Sequence, residues 1–128
     1  MNIPADYRYT KDDEWIRVEG DEAVIGITDY AQDSLSDIVY VELPNEGDFF
    51  GTGETFGVVE SVKAAADLFM PISGDVIAVN EDVIDEPEKI NQDPYGEAWL
   101  VRVKMSEPDT VSDLLDADAY QASIEERS

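Results

Sequence analysis

The chain contains neither cysteine nor histidine, and only eight of its 128 residues are lysine or arginine. Without cysteine there is no disulfide, no thiolate zinc site and no cysteine nucleophile, and without histidine there is no imidazole base. Most nucleophilic and metalloenzyme designs are excluded on those grounds. The scarcity of basic residues also disfavours nucleic acid and anionic membrane as partners, because both need cationic patches. Long apolar runs are missing too, and no window approaches the length of a membrane span. The start, Met1–Asp6, has neither a basic segment nor an apolar stretch, so no signal or transit peptide is expected. The expectation is a soluble, cytoplasmic protein.

What the chain does have is acid. Thirty-one aspartates and glutamates give a formal net charge of −23, while 43% of the residues are hydrophobic. The regular spacing of the apolar residues argues for a folded core in spite of the charge. The length suits one domain, residues 1–128, with a single core. Self-repulsion of this size weakens a compact state at low salt and is screened at high salt, which predicts a halophilic protein.

The first forty residues read as short strands with turn punctuation. Glu14–Val18 and Ala23–Ile27 are β-rich, and Glu19, Gly20 and Asp21 between them predict a hairpin. Thr28 is placed to cap a short helix over Asp29–Leu35, with Asp29 at its positive end. A strand is expected over Asp37–Leu43, stopping at Pro44–Gly47, and a turn at Gly51–Gly53. Thr55–Val62 and Leu68–Ile72 read as strands joined through Lys63–Ala66, since alanine is a weak strand former. After a turn at Ser73–Asp75, Val76–Val79 is expected to pair back. Residues 80–96 read as acidic and irregular, with a turn at Asp93–Gly96. Trp99–Met105 is the last predicted strand. Thr110 and Asp113 resemble a capping box for a C-terminal helix, broken near Asp116, with Leu114, Leu115, Ala119, Tyr120 and Ile124 on its apolar stripe. Trp15 and Trp99 are assigned to the core. Short strands followed by a helix indicate a mainly β sandwich or small barrel.

Lys63 stands out within this pattern. The chain has four lysines, and this one lies between Val62 and Ala64, Ala65 and Ala66. A lysine with small apolar neighbours at a hairpin bend is an addressable amine, although an isolated lysine is also an ordinary surface charge.

Glu60–Ala64 with Asp67 resembles the lipoyl-attachment motif of the glycine cleavage H proteins. The likeness continues along the chain. Tyr9, Thr10, Glu14, Trp15, Gly26–Gln32, Asp37–Val39 and Val41–Pro44 resemble the family's N-terminal half. Pro71, Ser73, Gly74, Val79–Glu81, Pro87, Glu88, Asn91, Asp93–Gly96, Trp99 and Leu100 resemble its C-terminal half. The resemblance implies a lipoyl-domain-like barrel-sandwich hybrid of two antiparallel sheets with short helices and a C-terminal helix. It implies lipoate in amide linkage on Lys63, and a non-catalytic carrier of glycine catabolism and one-carbon metabolism. Its partners would be a pyridoxal-phosphate glycine decarboxylase (P protein), an aminomethyltransferase (T protein), a dihydrolipoyl dehydrogenase (L protein) and a lipoate-attaching enzyme.

Within the motif, Ser61, Val62 and Ala64 are expected to set the bend and admit the attaching enzyme. Glu60 reads first as a solvated carboxylate, with recognition by the modifying enzyme as the alternative. The resemblance places Glu14 at a cleft that shelters the loaded arm, and Asp67 lies four residues after the lysine. A carboxylate there would hold a cationic aminomethyl amine by a charge-assisted hydrogen bond, though in so acidic a chain either acid also fits an ordinary surface role. Asp13, Ser36, Ala66 and Ala98 depart from the residues common in the family at those places. A 2-oxo-acid dehydrogenase lipoyl domain would put aspartate where Val62 stands, and a biotin carrier would flank its lysine with methionines. An H-like protein that relays lipoyl groups to other complexes is the remaining alternative.

Overall fold

Residue alternation and tight turns set the first hairpin. In the computed structural model, which describes residues 1–127, β1 (Arg8–Tyr9) pairs with β2 (Glu14–Glu19), and β2 pairs with β3 (Glu22–Ile27) across Gly20, whose φ is 68°. Glycine takes that left-handed conformation without steric cost. The first half of β2 is buried on both faces, because Ile16 enters the main core and Trp15 a second, aromatic cluster. Val18 is 44% exposed, since the strand has by then run out past both layers. Trp15 faces Gly26 across the ladder, and a Cβ on Gly26 would stand 2.6 Å from the indole. Only glycine leaves room for the ring.

Thr28 caps α1 (Asp29–Leu35) as expected, its side chain accepting from the Ala31 amide at 3.1 Å. Then come β4 (Ile38–Glu42), β5 (Phe49–Phe50), β6 (Thr55–Ser61), β7 (Ala65–Phe69) and β8 (Gly74–Val79). They precede α2 (Glu81–Asp85), α3 (Lys89–Gln92), β9 (Val101–Met105), a 3-10 helix over Pro108–Asp113, and α4 (Ala117–Arg127). The six-stranded sheet has the order β1-β2-β3-β9-β8-β5, and the three-stranded sheet the order β4-β6-β7, all antiparallel. Ile25, Val59, Leu68, Ile72, Leu100 and Val103 are buried in the core they share. Each such side chain contributes about 1.5–3 kcal/mol by leaving water.

Several expectations are corrected. β7 runs over Ala65–Phe69 and not Leu68–Ile72: Ala65 pairs with Glu60 and Ala66 with Val59, and Pro71, which has no amide hydrogen, stops it. Cross-strand pairing overrides alanine's weak strand preference. β8 does not pair back on β7. It joins β9 and β5 in the other sheet. Residues 80–96 are not irregular but hold α2 and α3, with Asn80 capping α2 by accepting from Asp82 N at 3.2 Å. Trp99 is half-buried and precedes β9. The capping box fails, because the Thr110 hydroxyl donates to the Glu107 carbonyl. Leu115 instead bridges Tyr9 in extended conformation, which separates the 3-10 helix from α4, and Asp116 caps α4 through the Ala119 amide at 2.8 Å. Tyr120 and Ile124 are buried, with Tyr120 stacked on Tyr9 at 4.7 Å, whereas Ala119 is exposed.

Candidate functional site: the Lys63 hairpin and its cavity

The tightest turn of the smaller sheet carries Lys63. The Ser61 amide donates to the Ala64 carbonyl at 2.7 Å, so Val62 and Lys63 occupy the two central positions of the turn. The Ser61 hydroxyl oxygen accepts from the amides of Lys63 at 3.1 Å and Ala64 at 2.9 Å and donates to the Ala64 carbonyl at 3.0 Å. A short hydroxyl side chain bonding the backbone two and three residues ahead is what stiffens such a turn. The bend is therefore Val62–Ala64, one residue shorter than the run Lys63–Ala66 expected from alanine content. Val62 donates its amide to the Asp37 carbonyl at 3.1 Å, anchoring the tip to the α1–β4 connection. Lys63, Ala64 and Ala65 are exposed, and the alanines put no bulk beside the amine.

Beside the tip lies a cavity of about 160 Å³. Its lining is largely apolar, with Ile27, Ala31, Leu35, Val59 and Leu68, and it is edged by Asp12, Asp13, Ser34 and Asp67. The Lys63 Nζ donates to the Ser34 carbonyl at 3.2 Å, so the amine already rests on that edge. A larger groove of about 570 Å³ lies at the far end of β4, around Leu43–Glu46, α2 and Trp99, and none of the predicted site residues lines it.

The predicted acids separate in this geometry. Asp67, paired with Val58 in β7, is exposed and lines the cavity. Glu60 is exposed on β6 opposite Tyr40 and lies outside it. Glu14 is 1% exposed and does not line the cavity. Its carboxylate accepts from the Thr10 hydroxyl at 2.5 Å and from the Phe69 amide at 3.3 Å, joining β2 to the strand that follows the lysine. Burial pushes the Glu14 carboxyl up to about 7, with the nearby Asp12 and Asp13 adding to the rise, while the Thr10 and Phe69 hydrogen bonds oppose it. Desolvation of the charged form outweighs those hydrogen bonds. Asp12, Asp13, Ser34 and the α1 wall were not legible as site residues. The only local signal was Ala31 and Leu35, spaced to share one face of α1.

Two antiparallel sheets enclosing one core, with a lysine at the tip of a hairpin, form the barrel-sandwich hybrid of a lipoyl-type domain. The family model for the glycine cleavage H-protein matches residues 7–127. The glycine cleavage system H protein of Magnetococcus marinus is 56% identical over 125 residues, covering 98% of this chain and 89% of that protein. That of Anaeromyxobacter sp. strain K is 54% identical over 127 residues, covering 99% of each. The crystal structure of the glycine cleavage system H protein from Mycobacterium marinum superposes with a TM-score of 0.89 at 40% identity, covering 96% of this chain and 99% of that one. The chain belongs to the glycine cleavage H-protein family, whose members carry lipoate covalently on a lysine. Among the described residues no helix is long and apolar enough to cross a membrane, and no cluster of acids is arranged to hold a metal.

Proposed function

We propose that this chain is the lipoyl carrier of a glycine cleavage system, with Lys63 as its attachment point. The observation that carries the reading is Lys63 at a Ser61-stiffened tip, next to an apolar cavity edged by carboxylates. The residues present suit the group. The amine is exposed for amide formation, its neighbours are small, and Ala31, Leu35, Val59 and Leu68 offer a surface for an aliphatic arm. Bound lipoate would supply a cyclic disulfide, a two-electron acceptor for the aminomethyl group left when glycine loses carbon dioxide.

The chain's own residues bind, orient and exclude. Ser61 holds the turn so that the lysine stem leaves in one direction, and Val62 fixes the tip to Asp37. The cavity wall removes the reactive end of the arm from bulk water. Asp67 is placed to accept a hydrogen bond from a cationic amine there, an interaction stronger than between neutral groups. Glu14 supports the site from behind by holding Phe69. None of these residues has to perform bond chemistry, so the chain serves as a non-catalytic carrier. It exchanges the arm with the P, T and L proteins after a lipoate-attaching enzyme has modified it. Cytoplasmic residence and adaptation to high salt belong to the same reading, the second resting on the net charge of −23.

Intact mass spectrometry of the chain from its native host tests the assignment. One lipoyl addition is expected, and Lys63→Arg abolishes it. Unmodified protein in cells growing on glycine would sink the carrier reading. Lipoylated protein that fails to support glycine decarboxylation with its partner enzymes would favour a lipoyl relay.

A further inference from the structure

The cavity beside Lys63 has walls on two separate elements. Asp12 and Asp13 belong to the β1–β2 turn, while Ala31, Ser34 and Leu35 belong to α1. The Thr28 amide joins the two by donating to the Asp13 carbonyl at 2.9 Å. The side chains that span them come from α4, with contacts 92 to 114 residues apart in sequence. Arg127 places its guanidinium on the Asp13 carboxylate, with Nη2 at 2.8 Å from Oδ1 and Nη1 at 3.2 Å from Oδ2. The same guanidinium lies 5.0 Å over the ring of Tyr30 on α1. From the buried side, the Tyr120 hydroxyl donates to Asp13 Oδ1 at 2.9 Å and stands 2.6 Å from Thr28 Oγ1. Because Tyr120 uses its proton on Asp13, Thr28 is the donor in that second bond. The bonds therefore run in one direction, from the Ala31 amide through Thr28 and Tyr120 to Asp13, and each polarises the next.

Asp13 has a φ of 70°, a left-handed conformation uncommon outside glycine and asparagine or aspartate. Its carboxylate is engaged by α4 on both oxygens, which leaves Asp67 and Asp12 as the other carboxylates lining the cavity. The Arg127–Asp13 pair is partly solvated, with the two side chains 35% and 18% exposed. A pair so placed adds little to global stability. Its forked geometry and its second contact on Tyr30 nevertheless define where the two walls stand.

We propose that Arg127 and Tyr120 are positioning residues that latch the two walls together and set the width of the cavity in which the loaded arm is sheltered. The latch rests on the reading of this cavity as the shelter of the arm. Releasing α4 widens the cavity and admits water to the cargo without unfolding the chain.

The test uses the full lipoylated chain, loaded with an aminomethyl group from glycine by the decarboxylase and then separated from that enzyme. Ammonia release is timed for the wild type, Arg127→Met, Arg127→Lys, Tyr120→Phe and Ser34→Trp, with thermal midpoints measured in parallel. Ser34 is exposed at the edge of the cavity, so tryptophan there obstructs the entrance without disturbing the core. Arg127→Met is expected to release ammonia about fivefold faster, the ratio set by losing one partly solvated charged contact, and Tyr120→Phe at least as much faster, because its hydroxyl contacts are buried. Arg127→Lys should recover part of the difference, and the midpoint of Arg127→Met should stay close to wild type. An independent readout is the change in amide NMR shifts of Ala31 and Leu68 between the unmodified and loaded chains, expected in wild type and diminished in Arg127→Met. If Ser34→Trp speeds release while Arg127→Met and Tyr120→Phe do not, the latch is overturned and the shelter stands. If Ser34→Trp leaves release unchanged, the cavity is not the shelter and the latch falls with it. A rate that rises only together with a lowered midpoint, and that lysine does not rescue, makes α4 a packing element and overturns the proposal.

Discussion

Replacing Glu14 by glutamine should stabilise the protein at about pH 8 and do little at about pH 5. The reason is where the carboxyl sits. It is 1% exposed, and burial holds it at about 7 against an ordinary 4.5. A carboxyl raised in the folded state binds more protons folded than unfolded between those two values. Stability is therefore highest below the unfolded value and falls as pH rises through the folded one. The interval from 4.5 to about 7 corresponds, at about 1.4 kcal/mol per pH unit, to about 3 kcal/mol lost by pH 8. Glutamine keeps the shape, lets its carbonyl accept from the Phe69 amide and carries no charge. Its amide nitrogen, facing Thr10, cannot accept from that hydroxyl as the carboxylate oxygen does, a cost of about 1 kcal/mol that does not vary with pH. The gain at pH 8 should then be about 2 kcal/mol, and the variant should be slightly less stable than wild type near pH 5. Paired urea titrations at several pH values measure the difference, with the fluorescence of buried Trp15 among the probes. Subtracting variant from wild type cancels the other thirty acids, whose mutual repulsion also changes with pH. A difference that stays constant from pH 5 to 8, or that grows toward acid, would refute the assignment of a desolvated, high-titrating Glu14.

Two further outcomes follow from particular residues. Ser36 has φ 67° and ψ −150°, a region open essentially to glycine alone, and is held there by its amide donating a hydrogen bond to the Gln32 carbonyl and by the Asn91 side chain donating to the Ser36 carbonyl at 2.8 Å. Relief of about 1–3 kcal/mol of strain, less about 0.4–1 kcal/mol from greater freedom of the unfolded chain, predicts that Ser36→Gly raises the thermal midpoint by a few degrees. A lowered midpoint would show that the serine side chain contributes something its backbone conformation conceals. Separately, with a net charge of −23, the midpoint should climb as salt rises from about 0.05 M to about 2 M. A chain that melts no lower at the dilute end does not depend on screening.

Much of the fold was legible because its signals are short-ranged. Gly20 between two β-branched runs, Thr28 before Asp29, and Asp93–Gly96 each act within a few residues, and each performs as its chemistry predicts. The misreadings occurred where a partner distant in sequence takes over. β7 begins at Ala65 because β6 stands opposite, and β8 leaves β7 because β9 offers it a ladder. The C-terminal apolar stripe is interrupted at Leu115 because the backbone of Tyr9 captures it.

The site divides in the same way. By itself the sequence determined that one lysine stands at a hairpin tip among alanines, that no cysteine or histidine shares its work, and that the chain resembles a lipoyl carrier from end to end. These are properties of composition, of a turn closed within four residues, and of ordered motifs. Only the tertiary structure decided that Glu14 is buried while Asp67 faces the cavity, since burial is set by which strands cover a position. It alone brought Arg127 onto Asp13 and Tyr120 onto Thr28. Contacts across so many residues leave no periodicity to read, because chain folding and not local propensity sets the distance between them.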